Sequence, residues 1–427
     1  MTVLLGDNII SALGFTSAEN YCNVKNGVSG LKFFADRYDL PEPFMASEID
    51  DVRLNEAFEK CSSEFSAKLH GGGAQETICE NTSGSSRDKI NYTKLEKACI
   101  VSVAEALKDA GVKDSEVKGA IDLSDERVLF ILSTTKGNVF LLDKSEQQGY
   151  EHDQLYLWRS AELISQFFGN KNTPMVVSNA CISGAFALVA AQRELRSGKY
   201  DYAVVVGADM LSKFIVTGFQ SFKALSQEVC KPFDANRTGL NIGEAVATVI
   251  MTERMNGGEL QERKGESAAN ELRKGDIVLT AGAVRNDANH ISGPSRTGEG
   301  SYLALRSILS GIDTDEIAFV CAHGTATPYN DEMESISLTR AGLQNVPINS
   351  LKGYFGHTLG AAGVLESVVS MHAIKDETIV GTYGFETLGV TNPLRMIKDV
   401  EKTTKRRFVK MLSGFGGCNV AALFTKY

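Results

Sequence analysis

Pro174-Met175-Val176-Val177-Ser178-Asn179-Ala180-Cys181-Ile182-Ser183-Gly184-Ala185 is the stretch on which the chain is organised. Its apolar and β-branched start predicts a short buried strand, and Phe186 to Arg196 predicts a helix with an apolar face. Between them a turn of small residues carries Cys181. A side chain at such a turn stands beside the first backbone N–H groups of the helix, whose positive end favours a thiolate. Gly184 and Ala185 keep the turn narrow enough for a carbonyl to approach the sulfur. The geometry expected is a nucleophile elbow, and the competing reading is a cysteine that serves as a small buried hydrophobe.

Strands alternate with helices on both sides of this unit. Strands are expected near the N-terminus and at Val128–Ser133, Tyr202–Gly207, Gly243–Thr252, Ile277–Ala283, Ile317–Cys321, Pro347–Ser350, Arg407–Leu412 and Val420–Phe424. Helices are expected at about Ser17–Asn26, Tyr92–Ala110 (stopped by Gly111), Leu155–Phe168, Ser301–Leu309 and Ala361–Ile374. Residues 31–90 read as the least regular part, with exposed loop at Gly71–Gly73 and Asn81–Ser86 and a solvated His70. Residues 256–276 read as a polar excursion joining two halves. Strand, small-residue turn and Gly/Ala-rich helix occur at Met175–Arg196 and again at Ile348–Ile374. This echo predicts a duplicated α/β core with parallel sheets covered on both faces. The halves are placed at 1–255 and 256–427.

A length of 427 residues with 43% hydrophobic and 23% charged composition can bury a core without metals or disulfides. The net charge of −9 argues against a general nucleic-acid or anionic-membrane surface. Eight scattered cysteines include no Cys-x-x-Cys pair or zinc-ligand spacing, so no metal is expected and a reducing compartment is. No run approaches membrane-spanning length, and the expected location is the cytoplasm. Thr134-Thr135-Lys136-Gly137-Asn138 lacks P-loop spacing and reads as structural or pocket-lining.

Two further stretches could carry chemistry. Ala322-His323-Gly324-Thr325-Ala326-Thr327-Pro328 follows a strand, where open α/β sheets bind ligands. In Ser350-Leu351-Lys352-Gly353-Tyr354-Phe355-Gly356-His357 a lysine and a histidine bracket a turn before a helix. One thiol and two neutral imidazoles suit stabilisation of negative charge on a thioester oxygen better than they suit hydrolysis.

These blocks resemble the elongating β-ketoacyl-acyl carrier protein synthases (type II ketosynthases). The likeness lies in Asn179-Ala180-Cys181, Lys231-Pro232-Phe233-Asp234 with Arg237, Gly239, Gly243 and Glu244, and His323-Gly324-Thr325 with Thr327, Pro328, Asn330 and Asp331. It continues in Lys352, Gly356-His357, Gly360-Ala361-Ala362-Gly363 and Gly414-Phe415-Gly416-Gly417 with Asn419. The resemblance implies a thiolase-like duplicated α/β/α/β/α layered fold. It implies decarboxylative Claisen condensation of an acyl-Cys181 thioester with malonyl-acyl carrier protein, in fatty-acid or specialised polyketide or polyene synthesis. His323 and His357 would assist decarboxylation, with Lys352 holding the network through Glu366. The N–H groups of Cys181 and Phe415 would form an oxyanion hole, and Thr325 and Thr327 would contact the phosphopantetheine arm. Asp331 and Arg237 would be structural. No cofactor is implied beyond that arm, which the acyl carrier protein supplies. A homodimer, or a heterodimer with a related subunit, is expected. The alternative is a non-catalytic chain-length partner of a heterodimeric ketosynthase. An acidic carrier protein calls for a local basic cluster, for which Arg193, Arg196, Lys199, Lys213 and Lys223 are candidates.

Overall fold

The computed structural model describes residues 1–71, 90–113, 121–254 and 271–427. Ten strands form the main sheet: β1 (Thr2–Ser11), β2 (Val128–Ser133), β3 (Met175–Val177), β4 (Tyr202–Asp209), β5 (Ala245–Glu253), β6 (Ile277–Asn286), β7 (Ile317–Cys321), β8 (Ile348–Asn349), β9 (Arg407–Gly414) and β10 (Cys418–Lys426). The first five stand in the order β1-β5-β4-β2-β3 and the last five in the order β6-β10-β9-β7-β8. In both sets the first two pairings are antiparallel and the last two parallel. Two five-stranded units thus repeat one topology, joined where Thr2–Leu4 of β1 pairs with Ile277–Leu279 of β6. The sheets are mixed, which corrects the expectation of parallel ones. The antiparallel pairings lie on either side of the joint, where β1 and β6 open their halves and β5 and β10 close them, and the parallel pairings lie towards the sheet edges. The expected boundary at 255/256 and the excursion up to 270 lie outside the described residues, as do Asn81–Ser86 and most of the triple glycine.

Apolar runs in the strands bury both faces. In β2, Leu129 and Ile131 face one core while Val128, Phe130 and Leu132 face another, as the two-residue side-chain period requires. Helices α3 (Lys94–Lys113) and α4 (Leu157–Phe167) cover the outside of the first unit, and α2 (Asp51–Gly71) packs on α3. Helices α7 (Glu299–Ile308) and α8 (Pro328–Arg340) cover the outside of the second. Between the units, α5 (Ser183–Arg196) and α9 (Ala362–Lys375) lie against each other and against strands of both.

Two glycines explain how closely these central helices meet. A Cβ on Gly363 would stand 2.0 Å from the Ala185 nitrogen, and one on Gly184 would stand 2.8 Å from the Gly360 oxygen. No methyl group fits between the two helix starts.

Residues 31–71 are more regular than expected. Lys32–Phe34, Phe44–Ser47 and Ile242–Gly243 form a small sheet, and α2 is a 21-residue helix. Gly111 does not end its helix, since α3 continues to Lys113. Helix α1 (Ser17–Lys25) starts at Thr16, whose hydroxyl caps Glu19 N–H. Helices α6 (Lys213–Ser221) and α8 were not expected.

Candidate active site

Val177 ends β3 and Ser183 opens α5, leaving five residues to reverse the chain. Ala180 adopts the left-handed region (φ +47°) immediately before Cys181, a strained conformation for a residue with a Cβ. Ser183 Oγ holds the turn by accepting Asn179 N–H at 2.7 Å and donating to the Ala180 carbonyl at 2.6 Å. Cys181 therefore stands at a tight strand-to-helix turn. Its backbone N–H and that of Phe415 both point at its sulfur. Two donors converging there are placed to hold a thioester oxygen that becomes negative on attack.

The expected resting thiolate is not found. Burial pushes the Cys181 thiol up to about 11, although Lys352 and the two N–H groups pull the other way. Desolvation outweighs the helix end, and the group rests as a thiol.

The second unit supplies both imidazoles. His323 follows β7, and Glu334 in α8 accepts the N–H groups of His323 and Gly324, each at 2.7 Å. Asp331 accepts Thr325 N–H at 3.0 Å and Phe233 N–H at 2.7 Å, so it has the structural place expected of it. Arg237 Nε lies 4.0 Å from the Asp331 carboxylate, and its guanidinium also holds the Asp234 and Gly389 carbonyls. Burial pushes Asp331 up to about 6 and Glu334 up to about 7.

His357 lies in the turn before α9. Its Nδ1 accepts Leu359 N–H at 3.3 Å, which places the ring proton on Nε2, a buried atom with no partner among the described residues. That N–H is free to donate into the site. The two rings lie 5.1 Å apart, edge to face. Burial, reinforced by Lys352, holds both imidazoles well below the usual histidine range, so they are neutral. Cys181, His323 and His357 bring their ligand-type atoms within 4.8 Å of one another.

Lys352 forms an ion pair with Glu366, and both are buried. A second lysine that sequence reading passed over, Lys410 of β9, reaches the same carboxylate. Burial opposes ionisation of Glu366, but the two ammonium groups hold its carboxyl below the usual range. The signal for Lys410 was present: a lysine inside the apolar run Phe408-Val409-Lys410-Met411-Leu412 must have a buried partner.

A cleft of about 550 Å³ opens onto Cys181, His323 and His357. Thr325 and Thr327 line it and share a 2.8 Å hydrogen bond. Phe415 stands in its wall against Phe219 and Phe222, with ring centroids 5.9 and 5.5 Å away. Two left-handed glycines, Gly416 and Gly417, follow Phe415. Asn419 anchors the loop through Gly417, Ser413 and Ser301. His290, also in the wall, had no sequence signal. The Thr134–Asn138 loop is structural: Asp209 collects Thr134, Thr135, Lys136 and Gly360 around one carboxylate.

Of the basic candidates, Lys223 lines the cleft. Arg193 and Arg196 lie in the last turn of α5, about 18–22 Å along the axis from Cys181 at 1.5 Å per residue, and Lys199 follows the helix end. Arg196 faces Glu253 there.

The N-terminal domain model of the β-ketoacyl synthases matches residues 19–256 and the C-terminal domain model matches 277–386. A putative mitochondrial 3-oxoacyl-[acyl-carrier-protein] synthase of Schizosaccharomyces pombe is 26% identical over 100% of this chain and 99% of its own. The ketoacyl synthase alpha subunit of the tetracenomycin polyketide synthase of Streptomyces glaucescens is 27% identical over 80% of this chain and 83% of its own. Among solved structures, a ketosynthase in complex with its chain length factor from Xenorhabdus doucetiae superimposes with a TM-score of 0.79. It is 22% identical, and the match covers 100% of this chain and 98% of that one. With the thiolase-like layering, the repeated topology and family models spanning both halves, the chain belongs to the β-ketoacyl synthase family.

Proposed function

We propose that the protein is a 3-oxoacyl-[acyl-carrier-protein] synthase that condenses an acyl thioester with malonyl-acyl carrier protein. The observation that carries this reading is the convergence of Cys181, His323 and His357 within 4.8 Å at the base of one cleft. The Cys181 sulfur attacks the acyl thioester, giving up its proton to a neutral imidazole as the carrier thiol leaves. The N–H groups of Cys181 and Phe415 stabilise the oxyanion. The malonyl thioester then occupies the cleft, and His357 Nε2–H donates to its carbonyl oxygen. Carbon dioxide departs, and the electron pair left behind forms an enolate held by the two neutral imidazoles. The enolate carbon attacks the Cys181 acyl carbonyl, the carbon–sulfur bond breaks, and the 3-oxoacyl carrier leaves.

Thr325 and Thr327 line the path for a phosphopantetheine arm belonging to the carrier. These bond changes call for no metal or redox cofactor. Phe415, flanked by two glycines and stacked on α6, serves as the movable wall of the acyl pocket. Lys352 acts through Glu366 and the field it places on the thiol and imidazoles. The open edge at β3 and the exposed Leu142, Tyr156, Trp158 and Phe214 support a homodimer or a heterodimer with a related subunit. The complete thiol and imidazole set weighs against a purely non-catalytic partner. The described cysteines are all free thiols, in keeping with a reducing compartment such as the cytoplasm. Among the described residues no helix is long and apolar enough to cross a membrane.

The test is intact mass after incubation with acyl carrier thioesters of graded chain length, on wild type and Cys181→Ala. Acyl mass gained by wild type alone supports the reading, and no acylation by any chain overturns it.

A further inference from the structure

Lys410 is fully buried in β9, with Val409 on one side and Met411 on the other turned into the outer core of the second unit. Its Nζ donates to the carbonyls of Cys321, at 3.2 Å, and Ala322, at 3.1 Å. Those are the last two residues before His323. The same ammonium lies against Glu366 Oε2, while Glu366 Oε1 takes Lys352. One carboxylate therefore stands between two ammonium groups, and all three side chains are at most 2% exposed. A strand interior is a costly place for a charge that only fills space, and a methionine or leucine would fill it without desolvation.

We propose that Lys410 is a positioning residue of the condensing centre: it clamps the strand end carrying His323 to Glu366 and adds a second buried cation that favours the anionic enolate.

The proposal rests on the condensation reading for what the charge acts upon, whereas the clamp stands on the contacts alone. Charged and titratable groups surround the imidazoles on several elements. From the first unit these are Cys181 at the start of α5, Asp209 at the end of β4 and Cys230, with Lys223 on the cleft wall. From the second they are Cys321 on β7, Asp331 and Glu334 on α8, Lys352 before α9, Glu366 on α9 and Lys410 on β9, with Arg237 beside Asp331 and His290 and Tyr329 on the cleft wall. Asp209 is held by the Thr134–Lys136 loop and Gly360, Asp331 by the Phe233 and Thr325 N–H groups and Arg237, and Glu334 by the His323 and Gly324 N–H groups, contacts that orient these carboxylates. Lys352 and Lys410 share Glu366, and the fields of both cations reach the two imidazoles, so an enolate formed between the rings would be favoured by the same cations. Lys410 also adds to the fields that keep both imidazoles neutral, behind burial and Lys352.

The experiment compares wild type with Lys410→Met, a neutral side chain of similar length. Imidazole protonation is followed by NMR in 15N-histidine-labelled protein, with His323→Gln and His357→Gln assigning the signals. This readout needs no substrate, so it remains legible if the condensation reading fails. In Lys410→Met at least one of the two imidazoles is expected to titrate about half a pH unit or more higher. Condensation should fall by about tenfold or more, because His323 loses its clamp, and its acid limb should move up in pH by the same shift. Acyl loading of Cys181 should fall less than condensation does, since Lys410 touches neither the sulfur nor its oxyanion donors and one imidazole suffices to take the thiol proton. An imidazole titration and acid limb unchanged from wild type would overturn the proposal and leave Lys410 a packing residue. If Lys410→Met does not fold, Lys410→Gln is read in the same way. Failure of both to fold also overturns the proposal, since a purely structural lysine requires that result.

Discussion

The two five-stranded units share strand order and direction, yet their equivalent loops do different work. In the first unit the passage from the third strand to the central helix takes five residues, 178–182, and presents a thiol. In the second the same passage takes twelve residues, 350–361, and presents Lys352 and His357. The loops after β2 and β7 are also equivalents. Each is organised by buried carboxylates that accept backbone N–H groups: Asp209 for Thr135 and Lys136, Glu334 and Asp331 for His323 to Thr325. One carries no chemistry and the other carries His323. A repeated scaffold thus brings three of these four loops to one point. The short turn carries the thiol, and the long one carries a lysine and an imidazole.

That division of labour can be broken cleanly. Cys181→Ala should abolish acyl loading and lower condensation by at least about 10³-fold, while malonyl decarboxylation, which needs only the second unit, persists. His357→Ala and His323→Ala, each of which leaves one imidazole to take the thiol proton, should do the reverse, retaining acyl mass on Cys181 and losing about 10²–10⁴-fold in decarboxylation. Carbon dioxide release and intact mass, measured on the same samples, separate the two. Loss of both activities in every variant would show that the halves do not divide the reaction.

The joint between the units gives the next effect. Gly363→Ala would drive a methyl into the Ala185 backbone and should cost about 3 kcal/mol or more, read as a lower urea midpoint. A raised Cys181 thiol predicts that iodoacetamide reacts slowly at neutral pH. Its rate should rise about tenfold per pH unit until it levels near the Cys181 value of about 11. The direction follows because a thiol pushed up is protonated over more of the pH range. A plateau below pH 8 would mean that the helix end, and not burial, governs the sulfur. The smallest effect belongs to the cleft rim. Lys223→Glu should raise KM for an acidic carrier by about three- to tenfold at low salt and leave kcat unchanged, with the difference shrinking as salt is added.

Much of this centre could be read from the chain because its chemistry sits in turns with distinctive residues. The small residues around Cys181, the histidines after strands and the glycine pairs each have a local physical reason. What escaped has one too. Helix α8 buries Asp331, Glu334, Ser335 and Ser337 beside Met333 and Leu338, so its inward face carries polar groups and apolar periodicity fails. Helix α2 buries Leu54 and Cys61, while Phe58 and Phe65 meet an outer core only in part, which leaves a thin apolar stripe. The thiolate was misjudged because a helix end contributes about a kilocalorie per mole or less in most settings, and full burial shifts a group by more. Register and pairing direction, which distinguish mixed sheets from parallel ones, depend on which distant strand lies alongside.

The glycine contact between α5 and α9 carries a consequence for how such a catalyst can diversify. Because bare backbone meets bare backbone at Gly184 and Gly363, the working distance between sulfur and imidazole is fixed by an interlock deep inside the molecule. The cleft walls, built from α6, the Phe415 loop and the segment around His290, hang from the rim of that interlock. They can be redrawn for acyl groups of another length or stiffness while the instrument they surround stays in calibration.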